Sequence, residues 1–278
     1  MRFEHVLVVG AGQMGGGIAQ VVAASGRRVS LHDSAPGAIE RGLETIGKSF
    51  ERLAAKGAEI DPVEVLSRVE PVEDYVPADL MVEAVVEDAE VKREIFRKAD
   101  GLLPRQAVLA SNTSSIPIAS LAAVTGRPDR VIGMHFFNPV PVMALVEVVS
   151  GPETSEETRT AVVELARELG KTPAEANDFP GFVSNRILLP FINEAVWALR
   201  DGVAEAEAID TIAKLGFNHP LGPLALADLI GLDTCVAILE VLRDGLGDER
   251  YEPCPLLREH VVAGRLGRKS GQGFYTYA

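Results

Sequence analysis

The chain has 278 residues, 47% hydrophobic and 24% charged, a balance that supports a sizeable core and excludes wholesale disorder. Lys and Arg number 27 against 40 Asp and Glu, and the resulting formal charge of −13 argues against nucleic acid and anionic membrane surfaces as partners. Any polyanionic ligand must therefore be met by a local cationic patch.

Short β-branched runs at residues 6–9, 29–32, 80–85, 108–111, 131–135 and 145–149 are the predicted strands. Several are apolar at consecutive positions, as expected for strands covered on both faces of a parallel sheet. Helical stretches separate them. Thr154 with Glu157 forms a capping-box pattern, followed by Val162, Leu165, Ala166 and Leu169 at helical spacing until Gly170. The texture changes at Asp178-Phe179-Pro180-Gly181. Beyond it, helices are predicted over 187–200, 205–215, 224–230 and 233–242, with one closing strand over 273–277. The expected organisation is an α/β domain over 1–180 and a smaller, all-helical domain over 181–278. No apolar run approaches the ~20 residues that cross a bilayer. The first apolar stretch is too short for a secretory signal, and Cys235 and Cys254 have neither metal-like nor redox-like spacing. A cytoplasmic setting without a bound metal is expected.

Gly10-Ala11-Gly12-Gln13-Met14-Gly15 fits the pattern G-x-G-x-x-G between a strand and a helix. Gly10 allows a tight turn, Gly12 lets backbone approach a pyrophosphate, and Gly15 lets helix and strand pack closely. The helix N-terminus presents unpaired N–H groups to the phosphates. A second strand ends at Asp33, eighteen residues past Gly15, which suits a carboxylate on the adenosine ribose. The expected fold class is therefore α/β with a Rossmann-type, mostly parallel sheet, and the expected cofactor is NAD. A 2′-phosphate ~4 Å from Asp33 would meet repulsion of ~4 kcal/mol per charge pair at an effective dielectric of ~20. Ser34 follows, not a compensating arginine.

Hydride transfer from an alcohol needs a base, and His135 ends the strand over 131–135 at the edge where such sheets bind ligands. A hydrogen-bonded core histidine is the plain alternative. Glu147 lies inside the apolar run 145–149, where an unpaired buried carboxylate is costly. Pairing with His135 accounts for both residues, and an edge-strand carboxylate in water is the alternative for Glu147. The cluster Ser111-Asn112-Thr113-Ser114-Ser115 follows another strand at the same edge, where one serine can instead cap the helix from Ile116. Asn185 falls where the helical domain begins and is equally a helix-start residue.

These segments, together with Gly133-Met134-His135-Phe136-Phe137-Asn138-Pro139, Asp178–Arg186 and Gly267-Arg268-Lys269-Ser270-Gly271-Gln272-Gly273-Phe274-Tyr275, resemble the L-3-hydroxyacyl-CoA dehydrogenase family, short 3-hydroxybutyryl-CoA type, over essentially the whole chain. The resemblance implies His135 as base, Glu147 as its partner, Ser114 as a substrate hydrogen-bond donor and Asn185 near the reacting oxygen. It places Glu87, Lys92, Asn138 and Lys269 along the cofactor, beside Gln13, Met14 and Asn112. It also implies a 3-hydroxyacyl-CoA/3-oxoacyl-CoA substrate pair. Arg41, Lys48, Arg52 and Lys56 share one face of a continuous helix. Arg52 and Lys56 match family lysines near the nucleotide end of coenzyme A, whereas Glu44 before Lys48 fits an ordinary solvated face. A homodimer through the helical domain is expected by family analogy, with Leu221, Leu224, Leu226, Leu229 and Ile230 supplying apolar surface. The rivals are a dehydrogenase of a free hydroxy acid, gulonate-type, and a non-catalytic NAD-binding structural or sensor protein.

Overall fold

The computed structural model describes residues 1–55 and 61–277, so Lys56 lies outside the described residues. It divides into two compact units, Met1–Phe179 and Pro180–Ala278.

The first unit runs β1 (His5–Val9), α1 (Gln13–Ala24), β2 (Arg28–His32), α2 (Ala38–Ala54), α3 (Pro62–Leu66), β3 (Val69–Pro71), β4 (Leu80–Glu83) and α4 (Ala89–Leu102). It continues through β5 (Val108–Ser111), α5 (Ile118–Ala122), β6 (Val131–Phe136), β7 (Leu145–Ser150), α6 (Glu156–Glu168) and β8 (Thr172–Asn177). The strands form one eight-stranded sheet in the order β3-β2-β1-β4-β5-β6-β7-β8. Every pairing is parallel except β6 with β7. Residues in β1, β4, β5 and β6 are buried throughout, which explains their consecutive apolar runs. The order reverses between β1 and β4, so a crevice opens beyond the carboxyl ends of these strands.

β3 and β8 were not among the expected strands. β3 is three residues ending in Pro71, and β8 carries Pro173, Glu175 and no fully buried position. Both are sheet edges, where proline and charge are tolerated and discourage pairing with another chain. α6 is capped one residue later than its sequence pattern implied. Ser155 Oγ accepts from Thr158 N at 3.2 Å, whereas Thr154 Oγ1 accepts from Gly151 N and donates to Val131 O. In α2, Ile46 and Phe50 are buried while Arg41, Lys48 and Arg52 are exposed.

The second unit contains α7 (Ser184–Arg200), α8 (Ala206–Gly216), α9 (Pro223–Ile230), α10 (Leu232–Leu246) and α11 (Pro255–Val262). Leu189, Ile192, Leu224, Leu239 and Leu257 lie at the centre of its core. Leu224 is thus spent on the unit's own packing, while Leu229 stays exposed. The strand expected over 273–277 does not form. Gly267↔Gln272 and Gln272↔Thr276 are isolated bridges, and carboxylates take the place of a partner strand. The buried Asp228 accepts from Phe274 N, Tyr275 N and Tyr277 Oη, each at 2.9 Å. Asp210 accepts from Tyr275 Oη. A Cβ at Gly273 would sit 1.9 Å from Asp228 Oδ1, so only glycine lets the tail close over this carboxylate. Among the described residues, no helix is long and apolar enough to cross a membrane.

Replacing Asp228 with Ala leaves two backbone N–H groups and a hydroxyl without their acceptor. A loss of about 2–4 kcal/mol is expected. The measurement is the urea midpoint followed by fluorescence of Trp197, the chain's single tryptophan, which lies in α7.

Candidate active site

The nucleotide end of the site begins where β1 stops. Gly10 has φ +105° and donates its N–H to His32 O at 2.8 Å, carrying the chain away from the sheet. A Cβ at Gly15 would lie 1.8 Å from Gly10 O, so α1 can start this close to β1 only with glycine there. Gly12 faces open space, with nothing within 4 Å of where a Cβ would stand. It caps α1, whose first turn has no acidic residue and no side-chain cap, leaving the helix N-terminus available to an anion. Asp33 Oδ2 accepts from Ala11 N at 2.7 Å and Oδ1 from Ala35 N at 2.8 Å.

Gly12, Gln13, Met14 and Asp33 line a cavity of about 740 Å³, together with Tyr75 and Lys98. A dinucleotide fits this donor set, with open backbone for phosphates and a carboxylate for a ribose. Sequence reasoning missed Tyr75 and Lys98. Lys98 Nζ lies 4.3 Å from the Tyr75 ring centroid and 2.6 Å from Asp74 Oδ1, while His32 meets the same ring edge-on at 5.2 Å. No local pattern marks either residue, because the fold brings them together from a loop and from α4.

A polar network occupies the ends of β4 and β5. Glu83, fully buried, accepts from Lys92 Nζ and Ser111 Oγ at 2.6 Å and from Val85 N at 2.7 Å. Lys92 is 1% exposed and also stands 3.2 Å from Glu87 Oε2. Its amine is thus engaged inside the protein at the place where it was expected along the cofactor. Glu87 Oε1 accepts from Thr113 Oγ1 (2.6 Å), Ser114 N (2.9 Å), Ser115 N (3.0 Å) and both serine hydroxyls (3.1 and 3.2 Å). Burial pushes the Glu87 pKa upward, but Lys92 and these donors outweigh it, and the net shift is below the usual carboxylate range. The helix expected from Ile116 begins at Ile118 and has no side-chain cap, and Thr113 Oγ1 instead closes a loop turn by accepting from Ser115 N and Ile116 N. Asn112 Oδ1 accepts from Phe136 N at 2.8 Å and ties the end of β5 to the end of β6. Glu83 was also missed, although a carboxylate inside a buried strand is the signal that singled out Glu147.

His135 and Glu147 are register partners across the antiparallel β6–β7 pair. They are 8% and 3% exposed, and His135 Nδ1 lies 2.9 Å from Glu147 Oε2. An ionised carboxylate only accepts, so Nδ1 carries the hydrogen and Nε2 of the neutral ring keeps its lone pair. Phe137 packs against the imidazole with ring centroids 4.7 Å apart. Asn138 stands exposed on the β6–β7 connection, and its peptide bond to Pro139 is cis.

Arg52 is exposed in the last turn of α2. In the second unit, Asn185 occupies the first turn of α7, and Lys269 sits in the 3-10 turn Arg268–Ser270 with Nζ 2.7 Å from Asp233 Oδ2. Among the described residues, no group of His, Cys, Asp and Glu is arranged to hold a metal ion.

Two family models match the chain. The 3-hydroxyacyl-CoA dehydrogenase NAD-binding domain matches residues 5–179, and the 3-hydroxyacyl-CoA dehydrogenase C-terminal domain matches 181–277. A probable 3-hydroxybutyryl-CoA dehydrogenase of Deinococcus radiodurans is 57% identical over 274 residues, covering 97% of this chain and 99% of the relative. One from Bacillus subtilis is 55% identical over 282 residues, covering 100% and 98%. The crystal structure of (S)-3-hydroxybutyryl-CoA dehydrogenase from Ralstonia eutropha matches with a TM-score of 0.96 and 48% identity, covering all of both chains. With its nucleotide cradle, its sheet order and both of its units matched, this chain belongs to the 3-hydroxyacyl-CoA dehydrogenase family.

Proposed function

We propose that the protein interconverts a (3S)-3-hydroxyacyl-CoA and a 3-oxoacyl-CoA with NAD(H), with 3-hydroxybutyryl-CoA as the short-chain substrate. The observation that carries this reading is the 2.9 Å His135–Glu147 contact at the sheet edge that also forms the nucleotide cradle. NAD, when bound, supplies the hydride acceptor. In the oxidative direction Nε2 of His135 takes the C3 hydroxyl proton, and Glu147 stabilises the imidazolium that results. In reduction the same imidazolium returns the proton to the oxygen at C3. Ser114 and Asn185 are the proposed hydrogen-bond donors to substrate. Glu87, Asn112, Asn138 and Lys269 are proposed for the cofactor, with Lys92 acting through Glu87.

Arg52 and Lys56 are proposed to meet the phosphates of coenzyme A. The exposed cationic face of α2 supports the Arg52 half of this reading. A homodimer through the second unit is proposed, and the exposed Ile212, Leu215 and Phe217 of α8 and its C-terminus support it, Leu215 being 82% exposed. Two free, buried cysteines suit a reducing, cytoplasmic setting.

NADH oxidation with acetoacetyl-CoA tests the activity. Turnover is expected with the thioester and not with free acetoacetate, and the reverse preference would favour a free hydroxy-acid dehydrogenase. His135→Gln should lower kcat by ~10²–10⁴, and a variant that keeps most of its kcat would remove the base from this role. Asp33→Ala should weaken NAD binding and narrow the NAD/NADP gap by at least ~10-fold, read as the ratio of the two dissociation constants. Neutralising Arg52 and Lys56 together should raise KM for acetoacetyl-CoA several-fold, on the order of one decade, while KM for NADH holds.

A further inference from the structure

Lys171, between α6 and β8, is a buried charge that the proposed chemistry does not use. It is only 9% exposed, and among the described residues no carboxylate influences it. Burial alone moves its pKa, downward from the usual lysine range. Nζ donates to Val140 O at 2.6 Å and to Met143 O at 2.8 Å. No described backbone N–H donates to either carbonyl, because Val142 N and Met143 N both turn inward to Pro139 O. An apolar side chain of the same shape would be cheaper to bury but would take the donor from both carbonyls, that of Val140 belonging to a buried residue.

These carbonyls belong to the connection over 137–144, which leaves the His135 strand, carries Asn138 and returns as the Glu147 strand. It also rests on the nucleotide helix. A Cβ at Gly17 of α1 would stand 2.8 Å from Val140 Cβ, so α1 packs on the Val140 side chain with no room for a larger residue. Thr172 N, next to Lys171, donates to Ala144 O at 2.7 Å and fixes the end of the same segment. Val140 is therefore held twice, at its side chain by α1 and at its carbonyl by Lys171.

We infer that Lys171 is a positioning residue for the dehydrogenation, holding the 137–144 connection through Val140 O and Met143 O so that the ends of the His135 and Glu147 strands keep their place relative to each other. The inference rests on the proposed function. It goes beyond it by naming a residue that contacts no reacting atom.

The test compares the unmodified protein with Lys171→Met, Lys171→Arg and Gly17→Ala, measuring kcat with acetoacetyl-CoA, NADH affinity by fluorescence titration, and melting temperature. Misplacement by about 1 Å costs up to ~10²-fold in rate, so Lys171→Met should lose about 10- to 100-fold in kcat while its NADH dissociation constant moves less than about threefold. Lys171→Arg, which keeps donors in the same place, should recover part of that loss. Gly17→Ala, which displaces Val140 and the connection with it, should lower kcat as well. A folded Lys171→Met with kcat within about twofold of the unmodified protein overturns the inference. A loss of kcat matched by an equal loss of NADH affinity also overturns it, since that is the signature of a merely structural role. If Lys171→Met does not fold, an unchanged kcat in Gly17→Ala overturns it in the same way. Failure of the unmodified protein to turn over acetoacetyl-CoA is a different result, which removes the proposed function and this inference together.

Discussion

The reversal of chain direction between β6 and β7 is the constraint on which the site depends. A further parallel strand would require a crossover, and its register against β6 would be set far from the histidine. Here the connection is short, and His135 and Glu147 become direct opposites on neighbouring strands. The register is enforced by burial, because Met134 faces Val148 and Phe136 faces Val146, all four within the core. A slip of one residue would carry Glu147 to the other face of the sheet, among the apolar side chains of the core and away from His135. The hydrophobic effect thus holds the carboxylate in place, and the carboxylate in turn fixes which ring nitrogen bears the hydrogen.

A second set of acids works by the same logic at the ends of β4 and β5. Glu83 and Glu87 share Lys92, which leaves one net negative charge in the group, and that charge is offset by hydroxyl and N–H donors. Removing water from such a group is costly unless each lone pair finds a donor, and the loop over 111–115 supplies them. Order in that loop, and in Ser114 within it, comes from the donors that these two carboxylates gather, Glu83 being buried and Glu87 exposed. Each strand end in this region therefore presents an acceptor that gathers donors from the following segment. The −13 formal charge of the chain is not all a surface property.

Much of this was legible in the sequence, for physical reasons that also explain what was not. Val6–Val9 and the glycines after it are legible because a buried parallel strand and a close helix start each demand a narrow residue set. Glu147 is legible because a carboxylate in an apolar strand needs a partner. β8 is not, since an edge strand of Thr172, Pro173 and Glu175 carries the composition of a loop. The tail over 273–277 misleads in the opposite direction. Its alternating aromatics have strand chemistry, but Asp228 rather than a neighbouring strand takes its N–H groups. Lys171 and the Tyr75–Lys98 contact leave no local trace, because their meaning depends on carbonyls and rings brought in from distant segments.

Asp33 shows how closely recognition and architecture are joined at the nucleotide end. Its carboxylate accepts from Ala11 N, inside the glycine turn, and from Ala35 N, at the start of the segment leading to α2. The group that would discriminate against a 2′-phosphate therefore also anchors the backbone that would cradle the pyrophosphate. Charge alone does not set cofactor preference under this arrangement. Removing the carboxylate relieves repulsion but leaves the Ala11 N–H without its acceptor, and a loosened turn weakens binding of either dinucleotide. A variant that exchanges preference without losing affinity must supply a neutral acceptor to Ala11 N as well as a cation beyond Ser34. The turn and the ribose have to be redesigned as one unit.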